Sequence, residues 1–282
     1  MTSLRLVVKI FSILIALFYA NQTIAKDCDV LALPQPMLEK KIIILGELHG
    51  TKEAPEFASN LVCNLVRVKG KVALAIEMPA SFQRHLDAAL NQKTAEMAEQ
   101  KFAQIPFWQS QFQDGKRSVA YMELLMSIWR MRENQPDTRI VAIDMDEVEG
   151  NSGALREQFM ATRLRSFLTE RPNYTLVALV GNLHGRRQRG TPWNAEFKPM
   201  ATFLEANQYL SLDMAYDAGS AWNCTKTGCG ARPVSKKAPT GVRKAPTIEL
   251  SSNDPNFDGE FQVWEVTASP PLKQNAKEKS VD

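Results

Sequence analysis

Short apolar runs recur along the chain, separated by longer amphipathic stretches. Ile42–Leu45, Val72–Ile76, Ile140–Ile143, Leu176–Val180 and Tyr209–Leu212 are nearly free of polar side chains. Runs of that length and character read as strands buried on both faces. A later run near Phe261–Val266 is similar. Between them the period changes to that of a helix. Glu56–Val68 places Phe57, Leu61, Leu65 and Val68 near one face, and Ser118–Arg132 turns Met122, Leu125, Met126 and Trp129 inward. Ala154–Leu168 and Met200–Ala206 follow the same pattern. Strands alternating with helices predict βαβ units around a mostly parallel sheet. The expected fold class is α/β, a three-layer αβα domain over residues 26–225.

Two segments depart from this rhythm. Gln83–Lys116 is long and polar, with Phe102, Phe107, Trp108 and Phe112. It predicts a helical insertion over the sheet edge, its aromatics used mainly for packing. Residues 226–282 read as a basic, proline-rich loop (Lys236, Lys237, Arg243 and Lys244), a last strand, and a tail too polar to fold.

The first residues have a different purpose. Arg5 and Lys9 precede an apolar stretch from about Ile10 to Ala20, and Thr23 and Ala25 supply small residues for a peptidase. This predicts a signal peptide over 1–25, too short in its apolar part to span a membrane. The expected location is the periplasm or the exterior, with no stable membrane span after cleavage. Removing Arg5 and Lys9 takes the formal charge from +3 to +1. That balance argues against nucleic acid as a partner. Export also makes the cysteines readable, because disulfides persist in oxidising compartments. Cys28, Cys63, Cys224 and Cys229 allow three pairings. The turn-like Thr-Lys-Thr-Gly between Cys224 and Cys229 favours that pair, leaving Cys28 with Cys63.

Candidate chemistry gathers where the apolar runs end. The first ends in Gly46-Glu47-Leu48-His49-Gly50 and the fourth in Gly181-Asn182-Leu183-His184-Gly185. The second ends at Glu77 and the third at Asp144. A parallel sheet brings such ends to one edge, where ligands and catalytic groups of open α/β folds collect. Glu47 and His49 are two apart, so an extended backbone turns both to the same side. Two histidines with carboxylates suit a divalent metal such as zinc, manganese or cobalt, held by Glu47, His49 and His184. The same set also works without metal, one histidine acting as general base and a carboxylate orienting it. Glu77 is a candidate base or further ligand. Asn182, Arg186 and Asp144 are candidates for substrate binding, whereas His85, in a helical run, reads as surface. There is no Gly-x-Ser-x-Gly elbow, Walker loop or His-Glu-x-x-His, which argues against a covalent serine or cysteine hydrolase.

At these residues the chain resembles a superfamily of erythromycin esterase-like, ChaN-like and Tiki-like proteins. The likeness covers most of residues 40–215. It rests on Ile44-Leu45-Gly46-Glu47-Leu48-His49-Gly50-Thr51, on Glu77 at a strand end, and on Gly181-Asn182-Leu183-His184-Gly185-Arg186-Arg187. Gly190-Thr191-Pro192 is similar to the Gly-x-Pro of the ChaN-like branch. The resemblance implies an α/β fold with Glu47, His49, Glu77 and His184 as its polar site. Its branches differ in activity. Tiki-like members are metal-dependent proteases, esterase-like members hydrolyse a macrolide lactone, and ChaN-like members are linked to haem binding and iron uptake. The chain lacks the lipidation cysteine of the lipoprotein members. Tyr121, Tyr174, Tyr209 and Tyr216 are the tyrosines that could ligate haem, and no motif selects among them. The expected function is an exported hydrolase of an ester or amide bond in a small molecule or peptide. The alternative is a haem- or iron-related binding protein.

Overall fold

The structure is a computed structural model that describes residues 28–110, 113–146, 153–236, 245–252 and 254–273. The expected signal peptide, Phe112, the basic residues Lys237, Arg243 and Lys244, and the tail after 273 lie outside the described residues. The chain divides into two compact units, Met1–Val30 and Leu31–Asp282. Every element below belongs to the second.

Eight strands form one sheet: β1 Ile42–Glu47, β2 Val72–Pro79, β3 Arg139–Asp144, β4 Thr175–Gly181, β5 Tyr209–Thr225, β6 Gly228–Ser235, β7 Thr247–Glu249 and β8 Gly259–Val266. Their order is β3-β2-β4-β1-β5-β8-β7, with β6 paired to β5. The six strands from β3 to β8 run parallel. Only the β5–β6 hairpin and β7 are antiparallel. Among the described residues seven α-helices accompany them: α1 Gln35–Leu38, α2 Glu53–Lys69, α3 Gln83–Leu90, α4 Ala95–Ala103, α5 Val119–Asn134, α6 Gly153–Glu170 and α7 Asn182–Gly185. Among the described residues no helix is long and apolar enough to cross a membrane.

Alternation along the strands builds two cores. Ile43 and Leu45 of β1, Leu74 and Ile76 of β2, and Val177 and Leu179 of β4 face α2, α4 and α5. Their neighbours Ile42, Ile44, Ala73, Ala75, Leu176 and Ala178 face the other way, onto Met160, Ala161 and Leu164 of α6. A strand covered on both faces has no solvent side, so β1 and β4 carry no exposed residue. This is the three-layer αβα arrangement with a mostly parallel sheet.

The late run near Phe261–Val266 forms β8, which lies beside β5 and continues the parallel order. Several expectations need correction. Tyr209–Leu212 is only the start of β5, whose far end is a two-stranded ribbon with β6. Met200–Ala206 forms no α-helix but a single 3-10 turn, Met200–Phe203, after Pro199. Val68 is exposed, since the buried stripe of α2 runs Leu61, Val62, Leu65, Val66. Cys224 and Cys229 pair across the β5–β6 turn. Cys28 and Cys63 are disulfide-bonded as well, and none of the four cysteines is free.

The insertion protects a sheet edge. Among the described residues β3 has no strand beyond it, and unpaired edge groups invite other chains. Gln83 fills that place with its side-chain amide. Its Oε1 accepts from the Ala142 N–H at 2.7 Å and its Nε2 donates to the Ile140 carbonyl at 2.9 Å. The aromatics of the insertion are packed rather than free, with Phe102, Phe107 and Trp108 all buried. Gln83→Leu keeps the bulk but orphans both backbone groups. It should cost about 1–3 kcal/mol in urea unfolding. An unchanged midpoint would show that the edge needs no such cap.

Candidate active site

The parallel register carries four strand ends to one edge. Glu47 is opposite Gly181, and Asp144 closes β3 beside Pro79 of β2. Glu77, one turn of the pleat earlier, is completely buried. Each apolar strand therefore delivers one polar group at the point where its hydrophobic run ends.

Both histidines are held in the same way. His49 Nδ1 lies 2.9 Å from Glu47 Oε1, and His184 Nδ1 lies 2.8 Å from Glu157 Oε2. The Met200 N–H fixes that Glu157 oxygen at 2.7 Å. With Nδ1 donating to a carboxylate, Nε2 of each ring is left as a base. The two Nε2 atoms converge on Glu77 Oε1, at 3.8 Å from His49 and 3.6 Å from His184. The Arg156 Nη1–H donates to His184 Nε2 at 3.1 Å. Gly181 makes the approach possible, because a Cβ there would sit 3.0 Å from His49 Nε2.

Glu77 is surrounded by donors. The Gly181 N–H donates to Oε1, while Arg156 Nη2 at 2.8 Å and Lys116 Nζ at 3.3 Å donate to Oε2. Burial by itself raises its pKa. His184, Lys116, His49 and Arg156 outweigh burial and hold the carboxyl well below its ordinary range. A carboxylate that acidic is a poor proton acceptor, so Glu77 suits an electrostatic anchor better than a base. Asp144 grips Arg156 with both oxygens, at 2.7 Å from Nε and 2.8 Å from Nη2. His49 shows the opposite balance. Burial depresses its pKa, but Glu47 and Glu77 raise it further, leaving it above 6.5.

Lys116, Arg156 and Glu157 escape strand-end reasoning. Arg156 and Glu157 start α6, whose first turn overlies the sheet edge, and Lys116 arrives on the last residues of the insertion. Gly115 takes φ +93° there, with a Cβ position only 2.5 Å from the Gly50 nitrogen. Only glycine fits between that loop and the His49–Gly50 backbone. Asp114-Gly115-Lys116 was therefore a legible signal, a turn glycine beside a lone lysine. Arg186 lies 3.8 Å from Asp254 and not in this cluster, Asn182 is exposed at the start of α7, and His85 is on the surface against Phe82.

The residues do not fit a divalent metal. Each Nδ1 donates to a glutamate, as it does in metal-bound histidines, but Glu77 already carries the Arg156 guanidinium and the Lys116 ammonium, which would repel a dication. Among the described residues no group of three or more His, Cys, Asp or Glu could hold a metal ion. Of the three residues that the sequence offered as ligands, Glu47 has its Oε1 taken up by His49 Nδ1. The tyrosines that could ligate haem, Tyr121, Tyr174, Tyr209 and Tyr216, are all buried in the cores. Tyr121, the one nearest the acids, has a buried hydroxyl that burial and the negative charges of Glu47 and Glu77 keep protonated.

No family model and no curated protein sequence matches the chain. Solved structures do. An erythromycin esterase variant in its open conformation superposes with a TM-score of 0.62 at 12% identity, over 85% of this chain and 94% of that one. The chain has the erythromycin esterase-like fold. A succinoglycan biosynthesis protein gives 0.60 at 11% identity, over 83% and 90% of the two chains. A Bacillus cereus protein gives 0.55 at 11%, over 85% and 92%.

The depressed Glu77 pKa makes stability depend on pH. The group contributes stability that is complete above about pH 4.5, its unfolded value, and is lost as pH falls through the lower folded value. Glu77→Gln should flatten that acid loss and cost about 3 kcal/mol at pH 7, where Lys116 and Arg156 lose their shared partner. Urea unfolding of both forms from pH 7 to pH 3 measures this. Parallel curves would mean that Glu77 is not the anchor.

Proposed function

We propose that the protein is an exported hydrolase of ester or amide bonds that activates water without a metal. The observation that supports this most is the pair of Glu–His dyads, Glu47–His49 and Glu157–His184, with both Nε2 atoms turned towards one point beside two fixed cations. His49 Nε2 takes a proton from water while the water oxygen bonds to the carbonyl carbon. Glu47 keeps the ring in the required tautomer and steadies the imidazolium. Lys116 and Arg156 lie where negative charge develops on the carbonyl oxygen, and such preorganised donors account for a large share of catalysis. Collapse breaks the bond to the leaving group, which recovers the proton from His49. His184, tied to Arg156, orients the carbonyl or the water.

The esterase among the structures of this fold supports the reaction class, although fold alone never fixes chemistry. The fully bonded cysteines are compatible with export to an oxidising compartment. The substrate is a small molecule or peptide with a carbonyl centre.

Hydrolysis of 4-nitrophenyl esters and aminoacyl 4-nitroanilides tests the reading. Turnover should vanish in His49→Asn while the circular dichroism spectrum and melting temperature stay near wild type. Equal turnover in that variant would remove His49 from the mechanism. The pH profile carries a sign as well. Since His49 is raised above 6.5, kcat/KM should fall on the acid side through an apparent pKa above that value. Glu47→Gln removes the largest raising charge, so this limb should move to lower pH while the rate drops by about 10²-fold or more. An unmoved limb would assign the titration to another group.

A further inference from the structure

A second polar cleft lies at the other end of β3 from Asp144. It has a volume of about 370 Å³. Four guanidinium groups line it: Arg132 from α5, Arg139 from β3, Arg163 from α6, and Arg171 just after α6. Only two carboxylates, Asp87 and Glu170, share the wall. Arg171 is paired with Glu170 at 2.6 Å. The other three arginines have no carboxylate within ion-pair distance among the described residues.

Neutral acceptors hold two of those three in place. Arg139 Nε donates to the Tyr174 hydroxyl at 2.9 Å, and Arg163 donates to the Ala142 carbonyl from both Nε and Nη2 at 3.3 Å. These contacts fix direction without cancelling charge. Arg132 has no hydrogen-bond or ion-pair partner among the described residues. Ile140, Val141 and Phe167 add an apolar part to the wall, with Arg171 stacked 5.1 Å from the Phe167 ring. Surface arginines that merely face water have no need of fixed neutral partners in a concave setting. Guanidinium forks match the oxygens of phosphate and sulfate better than any other side chain does.

We infer that this cleft binds a small phosphate monoester, its oxyanion held by Arg132, Arg139 and Arg163 and its organic part set against Phe167. The site is separate from the histidine cluster. Arg156 and Arg163 are seven residues apart on α6, about 10 Å along its axis. Because β3 and α6 each reach both places, the ligand would sit on the same two elements that position Asp144 and Arg156.

Calorimetric titration of the full chain at low salt, with phenyl phosphate and with inorganic phosphate, tests the inference independently of any turnover. One site should appear, with inorganic phosphate competing for it. Arg132→Ala, which breaks no observed contact, should weaken binding by about tenfold, and adding Arg139→Gln should weaken it further. Lys116→Gln, in the other cluster, should leave it unchanged. Absence of binding to the wild type overturns the proposal. So does equal affinity in the arginine variants, or a loss confined to Lys116→Gln, which would place the anion at the strand ends.

Discussion

A buried carboxylate without partners would not stay charged, and Glu77 is buried completely. Everything at the strand ends is arranged to compensate it. The Gly181 N–H, Lys116 and Arg156 bind its oxygens, and the two imidazole Nε2 atoms stand off it at 3.6 and 3.8 Å. These partners come from four separate segments: the turn after β1, the end of the insertion, the start of α6, and the junction of β4 with α7. Glu77 thus ties together the pieces that the topology merely brings near. Removing it would loosen the site and leave two cations facing each other.

In the proposed mechanism the same grouping puts side-chain cations where a metal enzyme would use an ion. A divalent metal and an Arg–Lys pair compete for the same carboxylate lone pairs. Here the guanidinium is anchored from behind by Asp144 and the ammonium by Asp114, so their positions are set before any substrate arrives. Preorganisation of that kind substitutes fixed dipoles and charges for solvent. The matched dyads then divide the work by environment. His49 has a raised pKa beside two glutamates, whereas His184 accepts a bond from Arg156.

Much of this was legible from the residues. The runs at Ile42, Val72, Ile140 and Leu176 gave strands because no other element buries four or five consecutive apolar residues on both faces. Their polar ends then had to meet, since parallel strands share a direction. Glu77 and Asp144 reach the same edge as Glu47 and His184 for that reason alone. Roles were harder to read than positions. Glu77 resembled a base in sequence, but its partners make it an anchor, and those partners lie 39 and 79 residues away. Arg156 and Glu157 sit among other charged residues of an amphipathic helix, with nothing local to single them out. Met200–Ala206 misled because its spacing is helical, while Pro199 and the turn onto β5 leave room for only one short 3-10 turn. β8 was legible as the late apolar run, but β6 and β7 were hidden because they are half exposed and lack such a run.

The most direct measurement is ester hydrolysis by the purified chain after exhaustive dialysis against a chelator, with metal content read by elemental analysis on the same sample. The account predicts full turnover in metal-free protein and none in His49→Asn prepared alongside. Turnover that disappears with the metal and returns on adding zinc or manganese would contradict it, because Arg156 and Lys116 would then not be the charges that the reaction uses.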